Sequence, residues 1–253
     1  MSEAEGSVRT VSRAIAVLRA FGTSGWLSLG EVASRTGLDK ATTLRLLRAL
    51  MAERLVEQDP ASRDYALDIG VLELAAGATP YSDLRLRAQP VLAQIAQATG
   101  ATTFLAIPHD GGALCIGRVD GDVAIQIRYW SVGGRIALNA GAGPRVLMAY
   151  LPEEQREALL ASQLPQLTER TPTEPTALRA MLETVRARGW ELGVDDVVEG
   201  VASLAVALYD HNHRCIAAIS ISGLHSRILE NGQPAHLDIL HAQARALEER
   251  LPR

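Results

Sequence analysis

Over the first fifty residues the apolar positions return with a helical period. Val11, Ala14, Ile15 and Leu18 stand at i, i+3, i+4 and i+7, which predicts an amphipathic helix over Thr10 to Phe21 that closes near Gly22. Ser28 with Glu31 three residues on has the form of a capping box, in which each side chain takes the other residue's backbone N–H. It predicts a short second helix through Arg35, broken at Thr36-Gly37. Asp39 offers an oxygen to the bare N–H groups of a third helix that runs to about Glu53, with Leu44, Leu47 and Met51 as its expected buried face. The pattern then turns strand-like in Leu55-Val56-Glu57-Gln58 and Tyr65-Ala66-Leu67, on either side of the polar turn Asp59 to Asp64.

Ile69 to Ala76 is helical again, and Gly77-Ala78-Thr79-Pro80 is a natural break, so the expected domains are 1–77 and 78–253. From Ser82 to Thr99 an apolar face of Leu84, Ala88, Val91, Leu92, Ile95 and Ala98 predicts a long helix, kinked or restarted at Pro90. Strands are expected at Thr102 to Ile107, Gly112 to Val119 and Ala124 to Trp130, joined by the turn sequences His109 to Gly112 and Asp120 to Asp122. Helices are expected at about 144–161, 175–188 and 235–250, with a hairpin of Val201 to Tyr209 and Arg214 to Ser222 around Asp210 to His213. Strands grouped together and helices grouped together give an α+β class, with one antiparallel sheet and helices packed against it.

Two helices joined by a tight glycine-containing turn make a helix-turn-helix, and the hairpin after the third helix makes it winged. Counting about 100° per residue around that helix, Thr42, Ala49 and, at the flank, Arg45 face away from the apolar stripe. A helix seated in the major groove needs a short polar residue near its start and a fork-shaped donor, because Arg can bond guanine O6 and N7 together. Lys40, Arg48 and the wing's Arg63 are better placed for phosphates, which fix position without reading sequence. The surface expected to meet double-stranded DNA is therefore Lys40, Ala41, Thr42, Thr43, Arg45 and Arg48, together with Arg63. In an isolated helix such arginines are a solvated face, and some winged helices bind protein instead. The order of three helices and a hairpin favours DNA.

Charge changes this picture only locally. The chain carries a net charge of −4, and residues 1–77 hold 9 Lys or Arg against 10 Asp or Glu, so no basic domain announces a nucleic acid. Between Asp39 and Leu55, however, Lys40, Arg45, Arg48 and Arg54 outnumber Asp39 and Glu53. With 47% apolar and 21% charged residues the composition is that of a globular protein, and no apolar run is long enough to span a bilayer, so no membrane partner is expected. Met1 to Gly6 lacks a basic start leading into an apolar stretch, which makes the cytoplasm the expected compartment. There, Cys115 and Cys215 are expected as buried thiols.

Residues 8–77 resemble the DNA-binding domain of the IclR (isocitrate-lyase regulator) family. The resemblance rests on Val11-Ser12-Arg13-Ala14, on the run Gly37 to Leu47, and on Tyr65-Ala66-Leu67-Asp68, similar to the family's Tyr-Arg-Leu-Gly wing exit. Asp39 stands where the family has Pro or Ser, and Ala41 where it often has Ser. The resemblance continues through Gly189-Trp190, Asp195-Asp196 and Glu199 to Ala205, and is closest at Ala217-Ala218-Ile219-Ser220-Ile221-Ser222-Gly223. It implies a GAF-like effector-binding domain whose pocket lies between the sheet and the loop Leu138 to Arg145. The family's usual Leu-His-x-Thr-Ala-x-Gly-Lys is altered there at Asn139, Gly141 and Pro144-Arg145. The implied partner is a small-molecule effector; an organic acid falls within that class, although the altered loop argues for a ligand other than the common small carboxylates. A glycine-rich turn ahead of a helix exposes N–H groups to an anion. Ser203, Ser220 and Ser222 add hydroxyls, the last two on one strand face. The expected ligand contacts are Gly141, Ala142, Gly143, Ser203, Ser220 and Ser222, in a homodimer or dimer of dimers that binds neighbouring half-sites.

Other chemistry finds little support. His211, His213 and Cys215 alternate as ligands on one strand face would, but Asp210 to His213 reads more simply as a solvated turn. There is no Gly-x-Ser-x-Gly, P-loop or dinucleotide fingerprint, so neither a cofactor nor a catalytic residue is expected. Asp195-Asp196 as an acid/base pair is the residual case for an enzyme, a hydrolase or isomerase carrying a regulatory winged helix. A solvated turn before a strand is the simpler expectation.

Overall fold

The structure is a computed structural model that describes residues 3–22, 24–76, 79–122 and 129–251. The chain forms two compact units, Met1–Ser82 and Asp83–Arg253.

In the first unit α1 (Glu3–Phe21), α2 (Leu29–Thr36) and α3 (Lys40–Ala52) enclose a core that includes Val17, Phe21, Val32, Leu46, Leu47 and Leu50. The capping box forms: Glu31 N–H donates to Ser28 Oγ, and Ser28 N–H donates to Glu31 Oε2 at 2.8 Å. Gly37 ends α2 at φ +66°, a left-handed conformation that glycine adopts without steric cost. The core face of α3 differs from expectation. It is Thr43, Leu46, Leu47 and Leu50, while Leu44 and Met51 are half-buried. A threonine can join an apolar stripe when its hydroxyl returns to the backbone, and Thr43 Oγ1 donates to Asp39 O at 2.9 Å. β1 (Val56–Gln58) and β2 (Tyr65–Leu67) pair antiparallel as the wing, and Leu27 adds a single rung through two 2.8 Å bonds with Tyr65. α4 (Gly70–Ala76) follows; a Cβ on Gly70 would lie 2.4 Å from the Arg54 carbonyl oxygen, so only glycine fits.

The second unit is built on α5 (Thr79–Thr99), which starts before the expected Ser82 and contains Pro90. Its sheet comprises β3 (Thr102–His109), β4 (Gly112–Val119), β5 (Arg135–Ala137), β6 (Trp190–Val194), β7 (Val201–Tyr209) and β8 (Cys215–Leu224). The spatial order is β5-β4-β3-β8-β7-β6, with every pairing antiparallel. Of the strand expected at Ala124 to Trp130, residues 124–128 lie outside the described residues, and Tyr129 and Trp130 are not in a strand. The helix expected over 144–161 is two helices, α6 (Ala142–Ala149) and α7 (Glu153–Leu160). Pro152 separates them because it has no N–H to offer the carbonyl one turn back. α8 (Pro175–Arg188), α9 (His225–Ile228), a small hairpin of β9 (Leu229–Glu230) with β10 (Gln233–Pro234), and α10 (Leu237–Glu248) complete the unit.

Strand alternation divides the unit into two cores. Leu204, Val206, Leu208, Ile219 and Ile221 face one way, into a cluster with Leu92 and Ile95 of α5 and Leu240 and Leu247 of α10. Ala205, Ala207 and Ala218 face the other way, into a cluster with Val146 and Met148 of α6 and Leu178 and Leu182 of α8. Ser203, Ser220 and Ser222 share that second face by alternation, under α6.

Candidate functional site

In the first unit Asp39 caps α3, its Oδ1 accepting the Thr42 N–H at 2.8 Å, which holds the carboxyl below the usual carboxylate range. Lys40, Ala41, Arg45, Arg48 and Ala49 are exposed and Thr42 is half-buried, so one outward strip of α3 carries three cations. Arg63, also exposed, sits in the wing turn at φ +66°. Among the described residues none of these four basic side chains meets a carboxylate. Thr43 is different. Its side chain is wholly buried, so it supports α3 from inside and cannot reach a duplex.

In the second unit the strand register lines up Thr102, Ser222, Ser203 and Gly193 across four strands on the α6 side of the sheet. The Tyr129 hydroxyl lies 3.1 Å from Ser222 Oγ, and burial pushes its pKa up to about 12 against the opposing effect of that bond. Above the row, the turn into α6 places Gly141 at φ +86° with its N–H donating to Asp196 Oδ2 at 2.9 Å; the Ala142 N–H donates to Ser203 Oγ at 3.0 Å. One turn into the helix, Arg145 donates to Asp196 Oδ2 and, at 3.1 and 3.2 Å, to Glu191 Oε1. Glu191 also accepts from Arg188 at 2.6 Å, whose guanidinium stacks 3.8 Å over the Trp190 ring. Glycines give these groups room: a Cβ on Gly193 would lie 2.8 Å from both Asp196 Oδ1 and Ser203 Oγ, and one on Gly143 would lie 3.1 Å from Ser220 Oγ. From outside, Thr168 and Thr171 donate to the carbonyls of Asp195 and Asp196 at 2.6 and 2.7 Å, tying the loop between α7 and α8 onto this turn.

The family model described as "Bacterial transcriptional regulator IclR C-terminal" matches residues 77–249, and the IclR helix-turn-helix domain matches residues 10–60. The chain belongs to the IclR family of transcriptional regulators. As an IclR-family protein it has an N-terminal helix-turn-helix DNA-binding domain and a C-terminal effector-binding domain. A glycerol operon regulatory protein of Streptomyces griseus is 34% identical over 231 residues, covering 90% of each chain. An IclR transcriptional regulator from Alicyclobacillus acidocaldarius superposes with TM-score 0.83 at 26% identity, covering 95% of this chain and 98% of that one. An IclR homologue from Microbacterium hydrocarbonoxydans, crystallised with 4-hydroxybenzoate, has the same fold, with TM-score 0.83 at 23% identity, covering 95% of this chain and 98% of that one.

For this IclR-family chain the expected effector contacts do come together, with corrections. Gly141, Ala142, Gly143, Ser203 and Ser220 gather at the start of α6, and Ser222 adjoins Ser203 across the ladder. The Gly141 and Ala142 N–H groups, expected to await an anion, are already bonded to Asp196 and Ser203. Asp196, expected in a solvated turn, is only 4% exposed; its partner Asp195 is turned toward Gly200 N–H and His225 instead. The two carboxyls therefore serve separate sites and do not form an acid/base dyad. Sequence reasoning missed Asp196, Arg145, Tyr129 and Gly193. The available signal was Arg145 itself, a lone charge in the otherwise apolar stretch Ala142–Ala149, which demands a buried counter-charge. At the other hairpin, Asp210 Oδ1 accepts the N–H groups of Asn212 and Arg214, both at 2.9 Å, so His211 and His213 lie in an exposed turn. Burial pushes the thiols of Cys115 and Cys215 each up to about 12. No helix among the described residues is long and apolar enough to cross a membrane.

Proposed function

We propose that this IclR-family regulator acts in the cytoplasm as a homodimer or dimer of dimers, and that each protomer places α3 in the major groove of one operator half-site. Thr42 and Arg45 read base edges, while Lys40, Arg48 and Arg63 hold phosphates. The observation that carries this reading is the outward face of α3, where Lys40, Arg45 and Arg48 are exposed, as is Arg63 in the wing, and engaged by no carboxylate among the described residues. A second copy is supported by α1, where Val8, Val11 and Ile15 lie on one stripe and stay 67%, 57% and 44% exposed. Two-fold symmetry in the protein then sets the half-site spacing.

The effector-binding domain modulates operator affinity through a small molecule held on the sheet face of Ser203, Ser220 and Ser222, beneath the turn Gly141-Ala142-Gly143. A ligand shifts the DNA equilibrium only through different affinities for the DNA-bound and free arrangements, so DNA must alter ligand affinity by the same factor. The test is footprinting on the DNA that flanks the chain's own gene, with candidate metabolites and over a range of salt. Protection that one metabolite weakens or strengthens supports the reading. A protein that protects no sequence, or whose protection is indifferent to every metabolite shown to bind it, refutes it.

A further inference from the structure

α3 contains no acidic residue, and its outward face carries Lys40, Arg45 and Arg48. The residue that caps it is nonetheless a carboxylate. Asp39 is exposed, and its Oδ1 accepts the Thr42 N–H at 2.8 Å. That bond folds the side chain over the first turn of α3, so the carboxylate accompanies Thr42 wherever Thr42 is placed. The backbone is held from within as well, because the Asp39 carbonyl accepts the Thr43 N–H at 3.0 Å and the buried Thr43 hydroxyl at 2.9 Å. The Thr42 N–H foremost, and then the Thr42 hydroxyl, hold the carboxyl below the usual carboxylate range, so it is ionised at neutral pH. Among the described residues no cation pairs with it.

Capping alone does not call for this charge, since Ser or Asn caps a helix as well as Asp. A negative charge at the end of the helix that enters the groove opposes every phosphate contact near it. A duplex offsets that cost only where it offers a donor, because an ionised carboxylate accepts hydrogen bonds and gives none. Phosphate oxygens are acceptors too. In the major groove the donors are cytosine N4 and adenine N6, whereas guanine presents O6 and N7 and thymine O4, all acceptors. Adenine sets its N7 acceptor beside N6, which repels a carboxylate. Cytosine presents N4–H₂ with no acceptor of its own beside it, and is the base edge an ionised Asp fits.

We propose that Asp39 determines specificity at one base pair of each half-site, where its carboxylate accepts from cytosine N4, and that it weakens binding to duplexes lacking that cytosine. The inference rests on the placing of α3 in the major groove proposed above. Its test enriches duplexes from a randomised pool with the full chain, as wild type, Asp39→Ser and Asp39→Asn. Fluorescence anisotropy at one fixed salt concentration then measures each protein on the enriched and the random duplexes. Ser and Asn keep the cap, so both variants are expected to unfold at the wild-type temperature. Wild type enriches cytosine at one position of each half-site, and replacing that base pair costs it about tenfold in affinity. Asp39→Ser accepts all four bases there, leaves the other positions unchanged, and binds random duplex more tightly than wild type does. Asp39→Asn adds adenine at the same position, since an amide pairs with adenine N6 and N7 together. A wild-type pool with no cytosine-requiring position, base preferences identical in all three proteins, or variants weakened equally on every duplex each overturn the inference while leaving α3 as a reading helix. A wild type that enriches no sequence overturns the proposed reading by α3 and this inference with it.

Discussion

Arg145→Met isolates the buried charge cluster. Methionine keeps the length and apolar stem of the side chain while removing the guanidinium. Arg145 is 3% exposed and bonds Asp196 on one side and Glu191 on the other. After the substitution Glu191 retains Arg188 at 2.6 Å, whereas Asp196 keeps only the Gly141 N–H at 2.9 Å. Removing one member of a buried ion pair costs about 3–5 kcal/mol, because the remaining charge stays inside without compensation. Against a typical domain stability of about 5–15 kcal/mol this is a large fraction. The assay is urea unfolding of the full chain carrying Trp26→Phe, so that the remaining Trp130 and Trp190 fluorescence follows the transition of the C-terminal unit. Adding Asp196→Asn to Arg145→Met removes the orphan charge and is expected to restore most of the loss, since neutral replacement of a buried ion pair is often tolerated. A loss below about 1 kcal/mol for the single variant is the magnitude of a solvent-exposed pair and refutes the reasoning. A double variant no more stable than the single one refutes it equally.

Gly193→Ala places a methyl 2.8 Å from Asp196 Oδ1 and Ser203 Oγ, and the overpacking is expected to cost about 1–3 kcal/mol in urea denaturation. Gly25→Ala, with nothing within 4 Å of the new Cβ, is the control, and equal effects at both sites contradict the close-approach argument. Asp195 is held below the usual carboxylate range first by the Gly200 N–H at 2.7 Å, with His225 and Arg170 adding their charge. A folded pKa below the unfolded one gives stability that is complete above the unfolded value, about 3.9, and is lost as pH falls through the folded one. Asp195→Asn is therefore expected to be less stable than wild type at neutral pH and to converge with it in acid; urea midpoints whose difference does not change with pH contradict this. Arg48→Ala is expected to weaken binding equally on operator and random duplex and to reduce the salt slope by about one, and an operator-selective loss contradicts a phosphate role.

What was legible in the sequence follows from which signals are local. The capping box of Ser28 and Glu31, the Asp39 cap and the Gly37 stop are set by neighbouring residues, and all three appear in the structure. The Val201 to Ser222 hairpin was legible because two long apolar runs flank one polar turn. β5 and β6, three and five residues long, alternate too few times to stand out from loop. The core face of α3 was misjudged because Thr43 counts as polar until its hydroxyl is seen to bond Asp39 O. Asp196 was the largest miss around the start of α6. Whether an acidic pair is solvated depends on a cation 51 residues away in the chain, and only the packing of α6 against β6 and β7 brings Arg145 to it.

The proposed operator recognition stands most directly on base reading by α3. Fluorescence anisotropy of wild type and Arg45→Ala on the footprinted operator and on a scrambled duplex, at one fixed salt concentration, measures it. Wild type is expected to prefer the operator by at least about 10³-fold. Arg45→Ala is expected to lose about 1–3 kcal/mol on the operator and almost nothing on the scrambled duplex. Equal losses on both duplexes, or a wild type that does not distinguish them, would contradict the claim that this helix reads sequence.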